Sequence, residues 1–323
     1  MLTLSLPVVA VVVVAVVAAA AAVYFLLSPK DARPPPQPGA PPPRSEPPPP
    51  PSAGPHIEAH PQGSHDEPSE DTQPNPWVLV TAVGRTDPGM KRKNNEDALL
   101  VLEDHDLFVV ADGMGRHAAG EVASRLAVDT VAAAFASGDF GPHKPKAGGA
   151  REAARLEAVF HLANAEVFKK SQEVDAYHGM GTTMVALHFS RGKERATIAH
   201  AGDSRCYRFR GGALEQLTVD HTLGAAGIVG PSASVLSRAV GIEENLEPDV
   251  QTTAPEADDV YLICSDGLSR MAKPEQISKI LAGERDLDAA VASLIDVANQ
   301  AGGKDNVTVI LVRVERAPYL AGP

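Results

Sequence analysis

The chain has 323 residues, 44% of them hydrophobic and 22% charged, enough for one large globular domain with additional segments. Lys and Arg total 29 against 41 Asp and Glu, a formal charge of -12, and so acidic a surface argues against general nucleic-acid binding. Two cysteines, Cys206 and Cys264, are too few for a disulfide-stapled secreted domain; they read as small buried residues in a reducing compartment.

Residues 1–29 carry no side-chain charge, and Val8 to Leu27 is an almost unbroken apolar run. Helical residues rise about 1.5 Å each, so this run matches a hydrocarbon core of about 30 Å, and residues 1–28 are expected to form a single-pass membrane anchor. A cleaved signal peptide is the competing reading, with small residues at Ala18 to Ala22. Against it, no Lys or Arg precedes the run, and the run exceeds a usual signal-peptide core. Lys30 and Arg33 come just after the run, and the positive-inside tendency then puts the rest of the chain in the cytoplasm. Residues 29–76 hold 18 of the 28 prolines and few large apolar side chains. Such a stretch buries too little surface to offset ordering, so it is expected to be a disordered, extended linker reaching at most roughly 150 Å. Its three basic and seven acidic side chains leave -12 minus -4, or -8, on residues 77–323.

From Trp77 to residue 316 the composition turns globular, with a short tail at 317–323. Strand-like runs appear at Trp77–Val83, Leu107–Ala111, Thr182–Phe189, Ala196–Ala201, Cys206–Arg210, Val260–Ser265 and Val307–Val314. Leu156, Val159, Phe160, Ala163 and Val167 fall on one helical face, as do Leu287, Ala290, Val291, Leu294, Ile295 and Ala298. Many strands with a few long helices between groups of them indicate a layered α+β domain.

Acidic residues cluster at the ends of these apolar runs. Leu107–Ala111 leads into Asp112-Gly113 and Val260–Ser265 into Asp266-Gly267, while Asp305-Asn306 precedes Val307 and Glu96-Asp97 precedes Ala98–Leu102. Carboxylates at strand ends are held by a scaffold with their heads free, and an oxygen-only set suits Mg²⁺ or Mn²⁺. Taken singly, each Asp-Gly also fits a hairpin turn, and Asp-Asn or Gly202-Asp203-Ser204 an ordinary loop.

Their order is more specific. Thr86-Asp87-x-Gly89-x-x-Arg92-x-Asn94-Asn95-Glu96-Asp97 is followed by Ala111-Asp112-Gly113-Met114-Gly115, Ala119-Gly120-Glu121-x-Ala123-Ser124 and Gly179-Met180-Gly181-Thr182-Thr183. Ala201-Gly202-Asp203-Ser204-Arg205, Leu217-Thr218-x-Asp220-His221, Cys264-Ser265-Asp266-Gly267-Leu268 and Gly302-Gly303-x-Asp305-Asn306-Val307-Thr308 complete the series. This resembles the metal-dependent Ser/Thr protein phosphatases of the PPM (type 2C) family in their bacterial style, over residues 80 to 315 or so. The resemblance implies an α-β-β-α sandwich of two antiparallel sheets flanked by helices. It implies phosphorylated proteins as substrates, among them Ser/Thr kinases or their targets, and two Mn²⁺ or Mg²⁺ ions with a weaker third.

By the same resemblance Asp112 bridges the two ions, with the Gly113 carbonyl on one of them. Glu96 joins Asp112 on the second, and Asp266 and Asp305 hold the first. Arg92 grips the substrate phosphate, Asp97 positions the attacking water, and Asp203 with Asp266 matches the pair that holds the third ion. Hydrolysis then proceeds by direct attack of water, without a covalent phospho-enzyme.

Three departures stand out. Met114 takes the place where many eukaryotic relatives have a histidine acid, and His117 is either a substitute donor or a surface residue. Arg116 replaces a usual glycine, with backbone strain or an enlarged phosphate pocket as the alternatives. Only Leu223 to Val235 separate Thr222 from Leu236, a short flap that bears on substrate selection and on the third ion. A pseudophosphatase normally loses a metal ligand, whereas Glu96, Asp112, Asp266, Asp305 and Arg92 are all present. A scaffold built on the anchor and linker is the second rival.

Overall fold

The computed structural model describes residues 78–115, 119–142 and 151–316. The expected anchor, the linker, Trp77, Arg116, His117 and the tail lie outside the described residues.

Strand β1 (Val78–Asp87) is followed by β2 (Asp97–Leu102), β3 (Leu107–Met114) and the helices α1 (Ala119–Ser137) and α2 (Arg151–Glu173). Next come β4 (Gly181–Thr182), β5 (Met184–Phe189), β6 (Ala196–Ala201), β7 (Arg205–Arg210), β8 (Ala213–Gln216), β9 (Asp249–Thr253) and β10 (Val260–Cys264). The short α3 (Asp266–Ser269), then α4 (Pro274–Gly283) and α5 (Leu287–Gln300), lead to β11 (Val307–Arg316). One sheet runs β1-β11-β10-β7-β8 and the other β2-β3-β5-β6-β9, with β4 paired to the end of β3. The strand pairs are antiparallel.

Successive side chains on a strand point to opposite faces, and here both faces are covered. In β3, Leu107, Val109 and Ala111 face the helices α1 and α2, while Phe108 and Val110 face the other sheet. In β10, Val260, Leu262 and Cys264 join the core beneath α4 and α5, while Tyr261 and Ile263 point between the sheets. β11 divides in the same way: Val307, Val309 and Leu311 lie outward, Ile310, Val312 and Val314 inward. The result is the expected α-β-β-α sandwich. It is pinned centrally by Phe108, Phe189 and Tyr261, whose rings meet edge to face at 6.4 and 5.6 Å. Phe108→Ala would empty this layer at a cost of about 3–5 kcal/mol.

The helices cover the outer faces by helical spacing. Ala119, Ala123, Ala127 and Val131 of α1 join Leu156, Val159, Phe160, Ala163 and Val167 of α2 in one core. α4 begins on Pro274, whose fixed φ suits a first turn, and Asp286 caps α5 by accepting the Ala289 N–H at 2.8 Å.

Two details differ from expectation. Asp112-Gly113 does not end its strand: β3 continues to Met114, with Gly113 opposite Thr182. Nor is Asp266-Gly267 a turn between strands, because it opens α3. Cys206 and Cys264 are buried free thiols, and burial pushes the Cys264 thiol up to about 12. Among the described residues no helix is long and apolar enough to cross a membrane.

Candidate active site

Antiparallel register brings the acidic strand ends together. Asp97 at the start of β2 faces Asp112 near the end of β3, and the start of β5 faces the end of β6, just before Asp203. In the other sheet Cys264, two residues before Asp266, is opposite Val309, close to the start of β11 that Asp305 precedes. All six carboxylates singled out in the sequence therefore lie at one end of the sandwich. Glu96, Asp112, Asp203, Asp266 and Asp305 line a cleft of about 590 Å³, together with Arg92, Arg270 and the Gly113 backbone.

Asp97 lies beneath this cleft rather than on its surface and ties the two sheets together. Its Oδ2 accepts the Ser265 hydroxyl at 2.8 Å and the Thr308 hydroxyl at 2.6 Å, while Oδ1 is buried without a partner. Asn306 holds the loops beside it. Its Oδ1 accepts the Glu96 N–H at 2.8 Å, and its Nδ2 donates to Pro88 O and Asn94 O at 3.0 and 2.9 Å. The Asp112 backbone is fixed by Thr183 and Thr182, whose N–H and hydroxyl donate to Asp112 O at 2.8 and 2.9 Å.

Glycines let these loops approach closely. A Cβ on Gly113 would lie 2.1 Å from Gly120 O, and one on Gly267 only 1.9 Å from Asn306 O. A Cβ on Gly120 would fill the space 2.9 Å from both Glu96 Oε1 and Gly113 O, two of the expected metal donors.

Arg92 stands at the mouth with its side chain half exposed. It donates to Asp305 Oδ2 at 2.8 Å and lies 3.7 Å from Glu96 Oε2. Arg270 reaches Asp203 Oδ2 at 2.7 Å and Asp266 Oδ2 at 2.8 Å. On the rim, Arg238 donates to Asp249 Oδ1 at 2.5 Å and lies 3.1 Å from His221 Nε2, while His221 stacks on His200 at 4.4 Å. His200, His221 and Asp249 bring potential ligand atoms within 4.8 Å of one another, but Arg238 already supplies the cation there.

Crowded carboxylates resist ionisation. Burial, followed by the hydroxyl bonds that oppose it and the charges of Asp266 and Asp305, leaves Asp97 at about 6. Burial likewise raises Asp266 to about 6 despite the Arg270 charge. Desolvation on the cleft floor pushes Asp112 well above the usual carboxylate range, with Asp97 and Asp266 adding to it. Glu96 rises by burial, and the hydrogen bond to Asp305 raises Arg92.

This all-oxygen donor set, its excess negative charge and the space kept open by Gly120 fit a pair of hard divalent cations. The residues that could hold them are Glu96, Asp112, the Gly113 carbonyl, Asp266 and Asp305. Sequence reading missed Arg270 and the bracing role of Asn306. It also missed Asn164 of α2, which fixes the rim by accepting Gly241 N–H at 2.7 Å and donating to Glu243 O and Glu244 O at 3.0 Å. Arg270 had one local signal, its place four residues after Asp266; the reach of Asn164 across the fold had none.

Fold and donor set together define a divalent-cation cleft open to an anionic ligand. Residues 90–311 match the family model described as protein phosphatase 2C, and the chain belongs to the protein phosphatase 2C family. The serine/threonine phosphatase stp of Listeria monocytogenes is 35% identical over 243 residues, covering 71% of this chain and 93% of that protein. PstP of Mycobacterium tuberculosis, a serine/threonine protein phosphatase, is 36% identical over 262 residues, covering 76% of this chain and 48% of that one. The crystal structure of the PstP catalytic domain in complex with two manganese ions matches with a TM-score of 0.64 at 34% identity, over 74% of this chain and 99% of that one. PppA, a regulatory component of type VI secretion in Pseudomonas aeruginosa, matches with a TM-score of 0.62 at 34% identity, over 73% and 98% of the two chains.

Proposed function

We propose that the chain is a metal-dependent protein serine/threonine phosphatase that hydrolyses phosphoserine and phosphothreonine by direct attack of water. The observation that carries this reading is the convergence of Glu96, Asp112, Asp266 and Asp305 on one cleft with Arg92 at its mouth. The named phosphatases among its relatives, and the two manganese ions bound by the PstP catalytic domain, support it.

In this reading Asp112, Glu96, the Gly113 carbonyl, Asp266 and Asp305 would together hold the two divalent ions. Once bound, Mn²⁺ or Mg²⁺ lowers the pKa of water and offsets the charge of the phosphate. The chain supplies the rest. Arg92 swings from Asp305 to grip two phosphate oxygens, which sets phosphorus in line with the attacking water. Asp97, locked by Ser265 and Thr308 beneath the cleft, would position the attacking water from behind the floor, through the loops it holds, rather than by touching it. Met114 lines the cleft and cannot donate a proton, so the leaving serine or threonine oxygen takes one from water or from a neighbouring group.

The apolar run within residues 1–28 supports a single-pass anchor with the catalytic domain in the cytoplasm, and residues 29–76 a spacer beneath it. Tethering would raise the effective concentration of the enzyme toward membrane-bound Ser/Thr kinases or their substrates. Full-length protein in the soluble fraction after cell lysis would sink the anchor.

The deciding assay is turnover of a phosphothreonine peptide with Mn²⁺, with Mg²⁺ and with EDTA, beside Asp112→Ala. Metal-dependent turnover that the substitution abolishes is the expected result. A folded, metal-binding protein without turnover would instead mark a pseudophosphatase.

A further inference from the structure

We propose that the Arg270 guanidinium stands in place of a third divalent cation, so that this chain binds two such ions rather than three. The inference rests on the two-ion reading above and concerns only the Asp203–Asp266 side of the cleft.

Asp203 comes after β6 and Asp266 opens α3, so the two carboxylates come from different sheets and are brought together by the fold. Both residues are buried, at 5% and 9% exposure. A single nitrogen of Arg270, Nη2, lies 2.7 Å from Asp203 Oδ2 and 2.8 Å from Asp266 Oδ2. One cationic centre equidistant from two carboxylate oxygens is the arrangement a bridging metal ion would otherwise adopt. Here the protein's own charge provides it. The base of the side chain is fixed as well, because the Arg270 N–H donates to Asp266 O at 2.8 Å.

Guanidinium and metal ion exclude each other at this point. They need the same two oxygens, and their like charges would lie within a bond length or two. Arginine stays protonated at any working pH, so the neutralisation of Asp203 cannot be diluted away as a weakly held ion can. Arg92 is bound differently. It uses separate nitrogens for Asp305 and Glu96, the second at 3.7 Å, and it lies at the open mouth. Arg270 takes only Oδ2 of Asp266, which leaves Oδ1 to the two-ion centre.

The experiment strips the full chain with EDTA and titrates it with Mn²⁺ at neutral pH. Calorimetry and the electron paramagnetic resonance of free Mn²⁺ count the ions bound. Two per wild-type chain are expected, and a third, weaker one in Arg270→Ala. Arg270→Gln keeps a polar side chain but loses the charge and the reach of the guanidinium, and it is expected to gain the third ion as well. Three ions on the wild-type chain overturn the inference and leave the two-ion reading standing. So does a count of two on both variants when their circular dichroism is native. No Mn²⁺ on the wild-type chain overturns the two-ion reading, and the inference with it.

Discussion

The floor of the cleft and its rim are built on opposite plans. On the floor, Asp97, Ser265, Thr308 and Asn306 bond across loops and sheets, and glycines bring backbones closer than any side chain would allow. The flap between Leu223 and Val235 has no charged side chain and is held by its own backbone bonds, such as Gly224 N–H to Ala233 O at 2.7 Å. Its Val229 is 96% exposed, and Ile228 and Val235 are about half exposed, at 47% and 51%. Chemistry needs donors fixed to a fraction of an ångström, whereas choosing among peptides needs a surface that can change without disturbing them.

Substitutions can break that contrast, and Asp112→Asn is the severest. It keeps the shape of the floor but removes the charge shared by both expected ions. Turnover of a phosphothreonine peptide at saturating Mn²⁺ should fall about 10³-fold or more. Near-normal turnover would mean that the floor is not the reaction centre.

Gly267→Ala should rank next, acting on stability. Its Cβ would sit 1.9 Å from Asn306 O, a backbone atom that cannot step aside. Thermal unfolding should show a loss of about 3 kcal/mol. An unchanged melting temperature would mean that the Asp266 and Asp305 loops are looser than their spacing implies.

The third expectation concerns pH. Asp97 and Asp266 titrate near 6 in the folded, metal-free chain, above the ordinary carboxylate value of 3.8. A raised folded pKa contributes stability that is complete below the unfolded value and is lost as pH rises through the folded one. The stripped chain thus carries an unfavourable charge cluster above pH 6, which divalent cations relieve. Below it, protons compete with them. The rise in melting temperature on adding Mn²⁺ should be small at pH 5 and large by pH 7. A pH-independent rise would contradict the crowded floor. His188, whose burial lowers it to about 4, lies away from the cleft and cancels in this difference.

The smallest expected effect is on the rim. Val229→Ser should leave stability within about 0.5 kcal/mol, because the side chain touches almost nothing. A larger change in the unfolding midpoint would show that the flap folds back onto the domain.

The same contrast governs what could be read from sequence. Strands buried on both faces stood out as apolar runs, as β3, β10 and β11 did. The edge strand β9 reads Asp-Val-Gln-Thr-Thr and is largely exposed, so it carries no such signal. α1 escaped notice because its inward positions are mostly alanine, too small to mark a face. The carboxylates and Arg92 were legible because each stands in a short, ordered motif. Asn306 was visible as a motif residue, but its bracing of Glu96, 210 positions away in sequence, was not. The Arg270 bridge was equally hidden, since Asp203 lies 67 positions from it. Contacts of that kind exist only once both sheets are assembled.

The position of β11 has a consequence for synthesis on the ribosome. It comes after every other described strand in chain order, yet lies between β1 and β10, and Asp305 leads directly into it. Until translation passes residue 316, β1 has no hydrogen-bonding partner in its sheet and the cleft lacks one of its acidic groups. A nascent chain that has not yet placed this strand therefore lacks both the partner of β1 and the seat of Asp305, so the cleft is completed only when β11 slides into place.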